Sequence, residues 1–191
     1  MNDTKKKSPG RPRSAASHQA MLKAALGLLS EVGFEAMSIE AIASRAGVGK
    51  TTIYRRYSSK DELVADAIES IREEVLIPDT GNLWSDIDAL IENAAQITLT
   101  PIGRRAVAMI ISSASSNPGF AQVYWEKYLQ PRRQAFDIVI ERAKAKNEIS
   151  TDLDSGLVFD TMSGIMLYTL IFPPTESWKV YIRRALSLLL K

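Results

Sequence analysis

Apolar positions recur at helical spacing along nearly the whole chain. From about Ala15, residues Met21, Leu22, Ala25, Leu28, Leu29 and Val32 fall three or four apart, and Gly33 suits a helix end. Ser38 is a good N-cap for a second helix, whose Ile39, Ile42, Ala43 and Ala46 keep one apolar face. Gly47 supplies the permissive backbone of a sharp turn, and Val48 follows as a small core plug. The next helix differs: Lys50, Thr51, Thr52, Tyr54, Arg55, Arg56 and Tyr57 surround a single apolar Ile53. So little apolar surface means that neighbours hold this helix, and that its polar side faces outward. Lys, Arg, Thr and Tyr are donors suited to phosphate oxygens and base edges. Helix, glycine turn and polar helix together read as a helix-turn-helix.

Ser59-Lys-Asp-Glu62 forms a capping box at the start of a helix predicted over 59–76, which carries Leu63, Ala67, Ile68, Ile71 and Val75 and stops before Pro78. Pro78–Asn82 reads as a loop. Leu83–Thr98 follows, with Trp84, Ile87, Leu90, Ile91 and Ala94 on one side. Thr100-Pro101 opens another helix, through Ile110 and Ile111, which Asn117-Pro118 ends. A long helix over about Gly119–Lys146 should kink or break at Pro131. The last two run over about Ser155–Phe172 and Trp178–Leu190, the latter opened by Glu176 or Ser177. No strand alternation or internal repeat is visible, so the fold class is all-α.

Charge sharpens this division. The net charge of +2 conceals a basic head: residues 1–60 hold 11 Lys+Arg against 4 Asp+Glu, and residues 61–191 hold 13 against 18. That asymmetry fits a nucleic-acid reader attached to a regulatory partner. The predicted domains are a flexible basic arm (1–14), a helix-turn-helix domain (15–60) and a helical body (61–191) that includes the connecting helix. The arm's Lys5, Lys6, Lys7, Arg11 and Arg13 could follow phosphates or enter a minor groove, and a weakly attracted tail is the equal alternative. The chain has no Cys, its first 17 residues lack an apolar signal core, and Ile165–Phe172 is too short to span a bilayer. These features suit a soluble, cytoplasmic protein with no membrane partner.

The segments Gly10-Arg-Pro-Arg13, Val32-Gly33-Phe34, Ser38-Ile39, Ile42-Ala43, Ala46-Gly47-Val48, Thr52-Ile53-Tyr54 and Tyr57-Ser-Ser-Lys-Asp-Glu-Leu63 together resemble the TetR-type family of bacterial repressors. The likeness is concentrated between Gly10 and Ala67; the body shares only the general helix pattern. It implies an N-terminal three-helix DNA-binding head, a connecting helix, and a C-terminal body that dimerises and binds a small ligand. The residues that match DNA-contacting positions are Lys50, Thr51, Thr52, Tyr54 and Arg56, with Arg55 beside them. Lys50 can donate to guanine O6 or N7, the Thr51 methyl can touch a thymine methyl, and Tyr54 suits a phosphate. Arg55 has a bland alternative, an ion pair with Glu31 or Glu40. Tyr57 reads as a core or hinge aromatic. Lys60 lies where helix-start amides and the dipole attract a phosphate, and the amides of Ser38 are placed for the same role.

In the body, Trp84, Met109, Phe120, Tyr124, Trp125, Tyr128, Met162 and Met166 suit either plain core packing or an adaptable apolar pocket. As members of such a family, Trp84, Met109, Phe120, Tyr124, Tyr128, Met162 and Met166 are the candidate ligand residues. Gln96, Thr98, Ser112, Ser113 and Thr161 are candidate orienting groups. The resulting expectation is a homodimeric regulator of a palindromic double-stranded DNA operator, released by a small apolar effector, with no cofactor and no metal. A dimer without a ligand is the first alternative. A nucleotide-acting enzyme is the second: Gly49-Lys50-Thr51 mimics the end of a phosphate loop, yet Ser44 stands where that motif needs glycine, and Ala41–Arg45 reads as helix. No catalytic residue is expected, since a lone His18 without Cys assembles no ordinary nucleophile–base pair, and Asp152 and Asp154 sit where acids cap helices.

Overall fold

Local capping chemistry sets most of the helix boundaries in the computed structural model, which describes residues 11–72, 74 and 77–190, the first four for the backbone alone. The chain divides into two units, Met1–Ser70 and Ile71–Lys191. No strand occurs among the described residues.

The first unit holds α1 (Arg11–Ala36), α2 (Ile39–Ala46), α3 (Lys50–Tyr54) and α4 (Lys60–Glu69). Helix α1 begins four residues before Ala15, so Arg11–Ser14, expected in the arm, lie in its first turn; residues 1–10, with Lys5, Lys6 and Lys7, fall outside the described residues. Gly33 interrupts α1 with φ 79° and ψ 170°. The Ser38 hydroxyl accepts from the Ala41 amide at 3.1 Å and so starts α2. Gly47 ends it in the left-handed region (φ 65°, ψ 34°), and Val48 donates back to Ala43 at 3.0 Å. Helix α1 packs on α2 and α4. Met21, Leu29, Ile42, Ile53, Leu63 and Ile68 fill the interior at 1% exposure or less. Ile53 alone anchors α3 there, as its composition predicts.

Helix α4 ends at Glu69, short of the predicted 76. The Ser70 hydroxyl donates to the Ala67 carbonyl at 2.6 Å, a local bond that competes with the helical ladder. Ile71 is 39% exposed, and Val75 lies outside the described residues.

The second unit comprises α5 (Leu83–Thr98), α6 (Pro101–Ser116), α7 (Pro118–Tyr124), a π-turn (Trp125–Leu129), α8 (Gln130–Ala145), α9 (Ser155–Ile171) and α10 (Trp178–Leu186). Side chains of Asn82, Thr100, Asn117, Asp154 and Ser177 cap the starts of α5, α6, α7, α9 and α10. Ile87, Ile91, Phe136, Val139, Ile140, Val158, Phe159, Ile182 and Leu186 form the core that binds α5, α8, α9 and α10. The predicted break at Pro131 takes the form of the π-turn just before it. Proline has no amide hydrogen to donate, and its ring crowds the carbonyl four residues back, so the wider turn relieves the helix there.

Candidate nucleic-acid interface

Burying Ile53 turns the rest of α3 outward. Thr51, Tyr54, Arg55 and Arg56 are exposed, with Tyr54 at 57%, and Thr52 is half-buried. The regular helix stops at Tyr54, and Arg56 and Tyr57 both donate to the Ile53 carbonyl, at 2.8 and 3.0 Å, to close it. Lys50 opens α3 and is exposed, and its ammonium meets the Glu40 carboxylate at 2.8 Å. This contact raises the Lys50 pKa and lowers that of Glu40, so both stay charged. Arg45 grips Glu31 through both guanidinium nitrogens, at 2.8 and 2.6 Å. The acids considered for Arg55 are thus engaged by Arg45 and Lys50 instead.

The Ser38 hydroxyl acts as the α2 cap. Lys60 is half-buried; its ammonium donates to the carbonyls of Phe34 (2.8 Å) and Met37 (3.1 Å) and lies 4.0 Å from the Phe34 ring centroid. Two of its three donors therefore serve the irregular end of α1. The sequence pattern offered no sign of this, because the acceptors are backbone carbonyls distant in the chain.

Tyr57 is buried at 4% and gives its hydroxyl hydrogen to Asp66 at 2.6 Å. His18 Nε2 meets the same hydroxyl at 2.7 Å. Burial, followed by the Asp66 contact, pushes the Tyr57 pKa well above its ordinary value. This contact joins α1, the segment after α3, and α4, so Tyr57 is the core aromatic that the sequence suggests, with a polar tip that finds partners.

The candidate ligand residues fall into two groups in the body. Met162 belongs to the core, with Trp84 and Met166 packed against it. Phe120, Tyr124 and Tyr128 form a buried ladder, with ring centroids 5.9 and 5.1 Å apart. Met109 is also buried, and its sulfur accepts from the Ser113 hydroxyl at 3.6 Å. Of the proposed orienting groups, Gln96 and Ser112 are exposed, Thr98 and Ser113 are buried, and Thr161 donates to the Leu157 carbonyl of its own helix. Asp154 accepts from the Leu157 amide at 3.0 Å, the capping role anticipated for it.

Among the described residues, no three His, Cys, Asp or Glu side chains converge as a metal site, and no helix is long and apolar enough to cross a membrane. Gly49-Lys50-Thr51 follows helix α2, not the strand that a phosphate-binding loop requires.

Comparison with known proteins agrees with this architecture. Residues 21–67 match the family described as bacterial regulatory proteins, tetR family, and residues 77–189 match the tetracyclin repressor-like C-terminal domain. The chain is 33% identical over 175 residues to YdeS, an uncharacterized HTH-type transcriptional regulator of Bacillus subtilis strain 168, covering 91% of this chain and 88% of the relative. Its fold resembles the TetR family transcription regulator SCO0332 with a TM-score of 0.72, at 24% identity, covering 91% of this chain and 96% of that one. It also resembles the Bacillus subtilis transcriptional regulator FadR in complex with stearoyl-CoA, with a TM-score of 0.65, at 19% identity, covering 91% and 98%. A basic helix-turn-helix unit followed by a helical body of this kind makes the chain a member of the TetR family, a DNA-binding HTH-type transcriptional regulator.

Proposed function

We propose that the protein is a homodimeric repressor that holds a palindromic operator and is released by a small, mostly apolar effector. The observation that carries this reading is the exposed polar surface of α3 around the buried Ile53. Lys50 and Thr51, at the start of α3, read base edges in the major groove. Thr52, Tyr54, Arg55 and Arg56 contact bases or the backbone, and the amides beside Ser38, with Lys60, approach phosphates. Repression follows the family description of the C-terminal domain, and the place of action is the cytoplasm, beside the DNA.

Dimerisation uses α9 and α10. Leu157, Leu167, Tyr168, Ile171 and Val180 leave 39–68% of their surface exposed, and Gly164 presents open space where another helix can approach. Two heads so paired meet successive major grooves about 34–36 Å apart. The effector enters the body among the Phe120–Tyr124–Tyr128 ladder and Met109, on one side, or Trp84, Met162 and Met166 on the other. FadR, with its bound stearoyl-CoA, supports a body of this fold as a ligand receptor. A ligand that favours a different spacing of the heads lowers operator affinity by its differential affinity for the two states.

Selection from a randomised duplex pool with the full chain, followed by footprinting, tests the reading. A two-fold symmetric sequence with half-sites one helical turn apart is expected; enrichment of an asymmetric sequence, or none, overturns it. Calorimetry with long-chain acyl-CoA and with free fatty acid, with and without the selected duplex, tests release. Binding that is equally tight in the two conditions rules these ligands out as effectors.

A further inference from the structure

We propose that Glu40 is a specificity-determining residue of the DNA interface, acting by tethering the ammonium of Lys50. The inference rests on the reading of Lys50 as a base contact and adds a second residue, on a different helix, to that readout.

Two ion pairs of the first unit, Arg45–Glu31 and Lys50–Glu40, are built differently. Arg45 is held at both nitrogens by Glu31 of α1, a geometry that fastens α2 to α1. Glu40 touches Lys50 through one oxygen at 2.8 Å, and the pair bridges the first turn of α2 and the first residue of α3. Both side chains are open to solvent, at 61% and 54%. Its own backbone amide and Ser38, at the α2 start, also act to lower the carboxylate's pKa.

A lysine carries three rotatable donors on a flexible stem and can follow almost any phosphate. Held by Glu40, Lys50 keeps its other two N–H groups, which suit the paired acceptors of a guanine edge. Its charge is meanwhile offset locally, which removes part of the sequence-independent attraction to the DNA backbone. Glu40 thus weakens binding to arbitrary DNA and sharpens the choice of base opposite Lys50.

The experiment compares wild type, Glu40→Gln, Lys50→Met and the double variant, all as full chains. The probes are the duplex enriched by wild type from a randomised pool and a scrambled duplex. Glu40→Gln is nearly isosteric and lies on the surface, and thermal melting verifies its fold. Its affinity for the scrambled duplex should rise by about fivefold with both protomers contributing. The salt dependence should steepen, and the base preference at one position of each half-site should flatten. In the Lys50→Met background the same Glu40→Gln change should do almost nothing. An equal gain in both backgrounds would mean that Glu40 only repels DNA in general, which overturns the tether while leaving Lys50 as a base contact. If Lys50→Met itself leaves the selected motif unchanged, the base-contact reading fails, and the tether with it.

Discussion

The Lys60 ammonium donates to the Phe34 carbonyl, 26 residues earlier in the chain, at 2.8 Å, and stands above that residue's own ring. A lysine at a predicted phosphate-facing position is thereby also a fastener between the starts of α4 and α2 and the irregular end of α1. Lys60→Ala should cost the first unit about 1–3 kcal/mol through the lost charged hydrogen bonds. Faster hydrogen exchange of amides in α1 and α4 would show it. Affinity for all duplexes should fall together, with a salt slope lower by about one. Unchanged exchange with the same loss of affinity would assign Lys60 to phosphate alone.

Tyr57→Phe should remove the hydroxyl shared by His18 and Asp66 while keeping the ring, at a cost of about 1–2 kcal/mol. The alkaline limb of stability carries a second signature. The Tyr57 pKa is raised in the folded protein, whereas in the unfolded chain the phenol ionises near its ordinary value of 10.0. The tyrosine's contribution is therefore complete below pH about 10 and declines above it, as the unfolded state alone releases the proton. Denaturant midpoints measured up to pH 11 should fall more steeply in wild type than in Tyr57→Phe. Parallel curves would refute the burial argument.

Substitutions in α9 and α10 should separate the interface from the core. Leu157 is 64% exposed and Ile171 68%, whereas Leu186 is fully buried. Leu157→Glu or Ile171→Glu should yield a folded monomer in sedimentation and weaken binding to a two-fold symmetric duplex. Leu186→Glu buries a charge in the core and should abolish cooperative melting instead. Dimeric sedimentation of both outward variants would remove α9 from the interface.

Gly103 stands where α5 turns back into α6, and a Cβ there would fall 1.9 Å from the Ile97 carbonyl oxygen. Backbone has to move to admit it. Gly103→Ala should destabilise the second unit by about 1–3 kcal/mol, read as a lower urea midpoint for the tryptophan signal of the body. A neutral result would show that the α5–α6 corner yields freely.

How far the fold could be read from residue order depended on the range of the chemistry involved. Caps act within three residues, so Thr100 and Asp154 announced the starts of α6 and α9. The end of α4 escaped notice because Ile71 and Val75 prolong the apolar spacing beyond Ser70, whose hydroxyl bonds to Ala67. Ile53 as the sole anchor of α3 was legible, and with it the outward face of that helix. The Lys50–Glu40 and Lys60–Phe34 contacts were not, since each joins separate helices and depends on how the glycine turn and the Gly33 interruption bring them together. In the body, helical spacing marked inward residues such as Met162 and Tyr124 but carried no information on which of them share one cluster.

The π-turn before Pro131 also governs the phase of the aromatic ladder. Phe120, Tyr124 and Tyr128 are spaced by four, a step that overshoots one revolution of an α-helix with its 3.6 residues per turn. Over two such steps the rings would spiral away from a common line. The wider π-turn takes more residues per revolution, so the step from Tyr124 to Tyr128 falls short where the step from Phe120 overshoots. The two errors oppose each other, and the three rings remain on one side, with centroids 5.9 and 5.1 Å apart. Replacing the π-turn by an ordinary α-helical turn without changing the sequence would carry Tyr128 about 80° round from Phe120.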